Sequence, residues 1–509
     1  MISLLAWRNI VYRPWRSLLL FFGFGIGVGV MIVLLSVGEA LLTQARDEKL
    51  VGGGDITVLP QGLDVEVMKT GGVGGLFFSI DHARFVYDQL LASRRLVSSV
   101  QVVAPQIDGR LVYLRTVEGV EYPARASGEI PSRAHAVHAP VGIGAGEWQD
   151  DDGDRRWISP APAELRHEID HFHLPPDSAA NRSSWSEWHY FNVLSPDRKR
   201  WAFISFIVAG DVTSSTWGGT ITVTLREEGR VSRKFEAFVK RELIRFSTDS
   251  ANLTIGSSRV EVLPDGDYNV HAVAREQGGT QLASVDLVIH PEAHAYFPGA
   301  SIGSGGFVSG YTVPALRAAA SGRICIDASC EEFRGAQSYH DHNWGVWRGV
   351  TWDWGAARAG PFTILYGRVL GPEQQGRETP LFVYVVDSLG FRALMRPPRI
   401  TYEEGGSALA GGNRIRAPSR AIFADVRGGD SLRVELEIED AIATDTRRES
   451  RDQSPFSNRK DSGVAIDPIR DRALARPFFI QMKGIARISG RLGGERVSGE
   501  GTGFFETYR

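Results

Sequence analysis

WHYFNVLSPDRKRWAFISFIVAG, residues 188–210, decides the fold of this chain. An aromatic run, a Ser-Pro-Asp-Arg-Lys connection and an apolar run ending in glycine read as strand, turn and strand. The same plan returns in WDWGAARAGPFTILYGRVLG, residues 352–371. The interval between the two copies suits one antiparallel barrel, so the region reads as two similar barrels in tandem. Closing a sheet on itself removes its edges, and a mid-sized barrel can hold an apolar ligand. Shorter segments agree: TITVTLR (220–226), SRVEVLP (258–264) and LRVELEIE (432–439) alternate apolar and polar side chains, as half-buried strands require. Past residue 150 no long run has a helical period. The fold class expected is mainly β.

The remaining organisation follows from composition. With 509 residues the chain is too long for one core. A formal charge of −3 gives no argument for a nucleic-acid partner. From Ser17 to Gly38 there is no charge, about 33 Å of helix and enough to cross a bilayer. Arg8, Arg13 and Arg16 precede this run and Glu39 follows it, so the positive-inside rule puts the N-terminus in the cytoplasm. The expectation is a single-pass protein of a bacterial inner membrane with its bulk in the periplasm. A cleaved signal peptide competes with that reading, but the run exceeds the roughly 7–15 apolar residues of a signal and GEA is a poor cleavage site. Gly23, Gly25, Gly27 and Gly29 give two overlapping GxxxG spacings, on which another membrane helix can pack.

A small α+β segment is expected over 39–126. The Pro-, Gly- and Ala-rich stretch from 127 to 160 reads as a linker, and its Asp150, Asp151, Asp152 and Asp154 as solvated charge rather than a calcium site. The two barrels then occupy 161–320 and 321–509. Cys325 and Cys330, the chain's two cysteines, flank a turn-like IDAS. They are either a disulfide across a hairpin or two small buried thiols.

The chemistry concentrates in SYHDHNWGVWRGVTWDWG, residues 338–355. As a strand it places His340, His342 and Trp344 on one face and Tyr339, Asp341 and Asn343 on the other. Two histidines at i, i+2 could ligate zinc, but no third ligand is evident in the sequence, so neither metal nor cofactor is expected. Acid–base chemistry fits better. A carboxyl group buried among Trp344, Trp347, Trp352 and Trp354 has its pKa raised and stays protonated near neutrality. Indole faces stabilise a nearby cation, and His340 or His342 can accept a proton or position a water. Asp341 and Asp353 are the nearest acids. A purely architectural brace is the competing reading of Asp341 and Asn343. No GxSxG elbow or dinucleotide fingerprint occurs, which argues against serine-hydrolase and redox chemistry.

Two resemblances add to this. Residues 1–125, with LAWRNIVYRPWRSLLLFFGFGIGVGVMIVLLSVGEALL, GGGDITVLPQG and SIDHARFVYDQLLAS, are similar to the start of MacB/LolC-type ABC-transporter permeases. No later stretch is apolar enough for the further spans of such permeases, and no phosphate-binding loop ending in Lys-Ser or Lys-Thr is present. WSEWHYFNVLS (185–195), SYHDHNWG, WDWGAARAG (352–360) and GEGTGFFETY (499–508) resemble the AttH/carotenoid 1,2-hydratase (hydroxyneurosporene synthase) family over about 160–509. That resemblance implies two lipocalin-like barrels, a ligand site near their junction, and isoprenoid- or lipid-like ligands. It also implies an acid shortly after a tyrosine on a later strand; here Tyr366 is present but Arg368 stands where the carboxylate would fall. Trp188, Tyr190, Glu187 and Glu506 complete the candidate site. The leading expectation is a membrane-anchored module that binds a hydrophobic molecule beside ABC permease and ATPase subunits. The alternative is a metal-free hydratase acting on an isoprenoid double bond, and a third reading is a structural permease subunit.

Overall fold

A computed structural model describes residues 7, 11–47, 80–91, 95–137, 149–177, 179, 182–304, 307–347, 349–371, 380–410, 413–446 and 476–509. Arg8, GGGDITVLPQG and the middle of the linker lie outside the described residues. The chain divides into two units, Met1–Phe78 with Val100–Asp154, and Ser79–Ser99 with Arg155–Arg509.

In the first unit the uncharged run forms helix α1 (Pro14–Asp47), of which Pro14–Val37 is long and apolar enough to cross a membrane. Its glycines at 23, 25, 27 and 29 have no neighbour within contact distance of a Cβ, so that face is open to another helix. A hairpin of β1 (Gln106–Arg115) and β2 (Glu121–Glu129) follows. The short helix Pro131–Ala136 is tied to the acidic stretch: Ser132 donates its backbone N–H and its hydroxyl to Asp150.

The second unit begins with helix α2 (Ile80–Leu91), within the segment the sequence reading joined to the permease-like region. It packs instead with the β strands of its own unit, because Phe85 is one of its apolar residues and sits edge-on to Tyr296 and Phe391. Asp88 accepts from the Tyr296 hydroxyl, and Gln89 accepts the Phe391 backbone N–H. A further helix, α3 (Pro162–Ile169), starts on Pro162, whose missing N–H costs nothing at a first helical turn.

Two large antiparallel sheets make up the rest. The first contains β3 (Trp185–Leu194), β4 (Arg200–Gly210), β5 (Trp217–Glu227), β6 (Arg233–Lys240), β7 (Ile244–Ser247) and β8 (Ser250–Ile255). It continues through β9 (Ser258–Val262), β10 (Tyr268–Glu276), β11 (Leu282–Pro291), β12 (Phe297–Ser304), β13 (Phe307–Ile326) and β14 (Ser329–Val346). Strands β3, β4, β5, β6, β10, β11, β13 and β14 pair in a closed ring, because β10 meets β6 at Arg275 and Glu276 while pairing β11 along its length. Phe191, Phe206, Phe235, Leu253 and Val285 fill its interior. Cys325 and Cys330 face each other at the end of the β13–β14 hairpin and are joined by a disulfide.

The second sheet contains β15 (Thr351–Ala359), β16 (Phe362–Leu370), β17 (Phe382–Asp387), β18 (Gly390–Met395) and β19 (Thr401–Ala410). It ends with β20 (Asn413–Arg427), β21 (Asp430–Asp445), β22 (Phe478–Leu492) and β23 (Glu495–Tyr508). Its pairing runs from β18 through β17, β16, β15, β23, β22, β21 and β20 to β19, wrapped around a core of Tyr366, Val383, Phe423, Leu436 and Phe505. The division expected at 320/321 falls inside β13. Both long strands β13 and β14 belong to the first ring, because β14 pairs β3 from Gln337 to Val346. The sheets therefore change over between Val346 and Thr351, and the histidine motif belongs to the first of them.

The outer faces of the sheets also meet. Trp185, Tyr311, Tyr339, Trp354, Leu365 and Tyr384 form a third buried cluster along this seam, and Trp201, Phe203 and Phe504 a fourth. Strands β3 and β15, with Ala336–Val346 of β14 and Thr502–Tyr508 of β23, consequently have no exposed residue on either face, unlike a half-exposed barrel strand. Phe206→Ala and Phe423→Ala each empty a site in a different core and should each cost about 3–5 kcal/mol. Urea unfolding of the two variants checks this, and a loss below about 1 kcal/mol in either would show that core to be loosely packed.

Candidate functional site

The side chains singled out in the sequence fall in three places, and β14 connects two of them. Its alternation is as expected. Tyr339, Asp341 and Asn343 point into the seam, whereas His340 and His342 point into the first ring.

At the seam, Asp341 Oδ2 accepts from the Tyr339 hydroxyl at 2.8 Å and Oδ1 from Asn343 Nδ2 at 2.7 Å. Trp354 Nε1 donates in turn to the Tyr339 oxygen at 2.9 Å. Across the seam, Glu506 of β23 pairs in register with Trp354 of β15. Glu506 Oε2 accepts from Trp352 Nε1 at 2.9 Å and Oε1 from Gln481 Nε2 at 3.2 Å. Burial pushes the Asp341 carboxyl up to about 6, against the hydrogen bonds from Tyr339 and Asn343. Burial and then the charge of Asp341 push Glu506 up to about 7, against Trp352 and Gln481. Tyr190 lies beside both carboxyls, its hydroxyl pushed well up by burial and by their charge. A cavity of about 10 Å³ bordered by Asn192, Tyr339 and Phe504 adjoins the seam, close to the volume that one water needs. Trp188, Trp347 and Trp352, all half-buried, form a row of rings 4.9 and 5.7 Å apart that leads to Glu506.

Asp353, adjacent to Trp352, points the other way, into the core of the second sheet. Arg368 Nη2 approaches its Oδ2 at 2.5 Å, and the Tyr402 and Thr507 hydroxyls each donate to Oδ1 at 2.7 Å. Tyr366 shares this core, fully buried. The arginine that stands two residues after Tyr366 thus neutralises Asp353, and a carboxylate so engaged is a brace rather than a proton donor. Asp353, Tyr366 and Arg368 do not join the seam carboxyls.

Inside the first ring the expected pocket beside His340, His342 and Trp344 is filled. His340 stacks on Phe191 at 4.1 Å and His342 on His189 at 4.2 Å, with Phe172 and Tyr268 closing round them. His173 stacks on Trp344 at 3.6 Å. A polar cluster missed in the sequence occupies this space. Asp170, just after α3, has no exposed surface; its Oδ2 lies 2.9 Å from His340 Nε2 and accepts from the Tyr268 hydroxyl. Its Oδ1 lies 2.9 Å from His342 Nδ1. Burial opposes the Asp170 charge, but the imidazoles of His340 and His189 hold its carboxyl well below the usual range. Burial also opposes a charge on His342, yet Asp170 and Glu187 carry it up to about 9. Its Nε2 is 2.9 Å from Glu187 Oε1, off the line of a straight hydrogen bond. Glu187 accepts the His173 backbone N–H as well, so it caps backbone at the ring's end. Two donor sets of three could hold a metal ion, Asp170–His189–His340 and His173–Glu187–His342. Part of the signal was present in the sequence: Glu187/His189 and His340/His342 share the two-residue spacing that puts both members on one strand face, whereas Asp170 and His173 lie outside any strand.

No family model and no curated protein matches this chain. Several solved structures are similar to about two thirds of it, among them the following. A candidate AttH from Nitrosomonas europaea is 15% identical, with 67% of this chain and 98% of that one covered and a TM-score of 0.40. CghA with Sch210972 is 12% identical, with 67% and 96% covered and a TM-score of 0.41. Kievitone hydratase from Nectria haematococca is 11% identical, with 67% and 94% covered and a TM-score of 0.37. Likeness at that level says nothing of substrate.

Because its carboxyl is raised in the folded chain, Glu506 contributes stability in full below about 4.5, and that contribution is lost as pH rises through about 7. The change is on the order of 3 kcal/mol. Besides Asp341, the phenols of Tyr190 and Tyr339 face this group and stay neutral over that window. Glu506→Gln should flatten the pH dependence of the unfolding free energy between pH 4.5 and 7. An unchanged slope would mean that this carboxyl ionises normally. Arg368→Ala leaves Asp353 buried without its cation and should cost about 3 kcal/mol in the same measurement.

Proposed function

We propose that the seam between the two sheets binds an apolar, unsaturated molecule and that Glu506, with Asp341 beside it, performs acid–base chemistry there of the hydratase type. The observation that carries the reading is geometric: two carboxyl groups, Asp341 buried and Glu506 half-buried, lie among indole and phenol side chains where strands of both sheets meet. A general acid for alkene protonation must hold its proton near neutrality, and desolvation among aromatic rings achieves that. In the step, the Glu506 proton passes to one alkene carbon and the π pair forms the new C–H bond. The cation left on the other carbon is stabilised by the faces of Trp352 and Trp354. Water adds to that carbon, and its proton returns to the carboxylate, so one water is consumed and the acid is regenerated. The half-buried row of Trp188, Trp347 and Trp352 offers an apolar approach, where each buried methylene gains about 0.8 kcal/mol.

A binding module without turnover is the second reading. It is favoured by the full engagement of both carboxyls, since each oxygen of Asp341 and Glu506 already accepts a hydrogen bond. On either reading helix α1 anchors the chain, with its N-terminus in the cytoplasm and the sheets in the periplasm. The open glycine face is where an ABC permease would pack.

Full-length protein in detergent is incubated with acyclic isoprenoid polyenes in water labelled with oxygen-18. Labelled alcohol should form with the parent chain, and its rate should fall roughly 100-fold or more in Glu506→Gln. Labelled alcohol formed equally fast by the Glu506→Gln/Asp341→Asn double variant would remove the seam from the chemistry. Polyene retained by the protein, with no labelled product, would leave the binding module.

A further inference from the structure

The interior of the first ring carries a problem that the seam does not explain. His189 has no exposed surface, and neither of its ring nitrogens has a hydrogen-bond partner among the described residues. A buried imidazole left so bears its full desolvation cost with nothing in return. Asp170 Oδ1 lies 3.6 Å from His189 Nδ1, too far for a hydrogen bond.

His340 raises a second difficulty. Its Nδ1 lies 3.0 Å from the Tyr190 carbonyl oxygen, an acceptor, so Nδ1 must carry a hydrogen. In the neutral ring Nε2 then presents a lone pair, yet it lies 2.9 Å from a carboxylate oxygen of Asp170, another acceptor. A cation held by both is what reconciles two facing acceptors. An imidazole fixed through one nitrogen by a backbone carbonyl, with the other aimed at a carboxylate, is the arrangement that supports metal-ligating histidines.

The geometry points to one divalent transition-metal ion of the zinc class, bound by Asp170, His189 and His340 inside the first ring. The donor atoms of these three lie within 4.8 Å of one another, and ligand atoms round a tetrahedral zinc stand roughly 3.3 Å apart, so modest shifts seat the ion. Imidazole and carboxylate donors suit zinc, cobalt and nickel rather than calcium or magnesium. His342 Nδ1, at 2.9 Å from Asp170 Oδ1, becomes a fourth donor once it gives up its proton to the incoming ion. The outer set, His173–Glu187–His342, lies next to it, and His173, a quarter exposed, gives the ion a route from solvent. The ion would tie the end of α3 to β3 and β14. It is independent of the seam chemistry, because it sits on the opposite face of β14 from Asp341.

The test uses full-length protein in detergent, stripped with a chelator, dialysed and titrated with Co²⁺ alone. One Co²⁺ per chain should bind with the visible bands of a tetrahedral nitrogen and oxygen site, and Zn²⁺ should displace it. His189→Ala should weaken Co²⁺ binding by more than the roughly 10–100-fold that follows loss of a supporting hydrogen bond. His171→Ala, outside both donor sets, should bind as the parent chain does. Should His189→Ala fail to fold, X-ray absorption of the zinc-loaded parent chain decides, through the two or three imidazoles and one carboxylate expected in the first coordination sphere. Stripped, folded protein that takes up neither Co²⁺ nor Zn²⁺ stoichiometrically overturns the proposal. So does uptake unaffected by His189→Ala, or a zinc spectrum of oxygen ligands only. None of these readouts depends on turnover, so they are separable from the polyene experiment.

Discussion

From Ser338 to His342 strand β14 is buried on both faces, and much of the molecule follows from that constraint. A strand with one wet face can leave its polar side chains to solvent. One enclosed between a ring interior and a second sheet must satisfy every polar group from within the protein. Yet β14 carries His340, Asp341, His342 and Asn343 in succession. Alternation divides them, so that the imidazoles require acidic partners inside the ring and the carboxylate requires donors at the seam. Asp170 and Glu187 meet the first need, and Tyr339 with Asn343 the second.

The two faces resolve their charge differently, and the difference is electrostatic. In the ring, carboxylates and imidazoles face one another, so Asp170 stays ionised and His342 is carried towards its charged form. At the seam no cation among the described residues shifts Glu506; its neighbours are indole, amide, phenol and a second carboxyl. Desolvation therefore wins, and the proton is retained. A third buried carboxylate, Asp353, has Arg368 within reach and remains an anchored brace. Three acids thus acquire three roles, set by their partners as much as by their depth: Asp170 and Asp353 are fully buried, Glu506 half-buried.

Sheet closure determines where such partners can meet. The first sheet closes through β10, which brings α3 and Asp170 over the ring's end beside β3 and β14. The second sheet wraps its own apolar core and lends its outer face to the seam through β15 and β23. Trp352 and Trp354 face the seam while Asp353 faces inward, so one three-residue stretch serves both cores.

The strand character of the chain was legible in alternation, as in TITVTLR and LRVELEIE, because a half-buried strand imposes a period of two on its own sequence. The same local rule separated His340 and His342 from Asp341, and the uncharged run to Gly38 marked α1. Other features were not local. That β14 pairs β3 depends on strand order, and this moved the sheet boundary from 320/321 to beyond Val346. The partners of the histidine motif lie far away in sequence at Asp170, Glu187 and His189, and those of Glu506 at Trp352 and Gln481. Composition could announce buried carboxyls among tryptophans, but only the packing of two sheets decided which carboxyl keeps a proton, since the pKa of a buried group is set by neighbours that the chain brings together only when it folds.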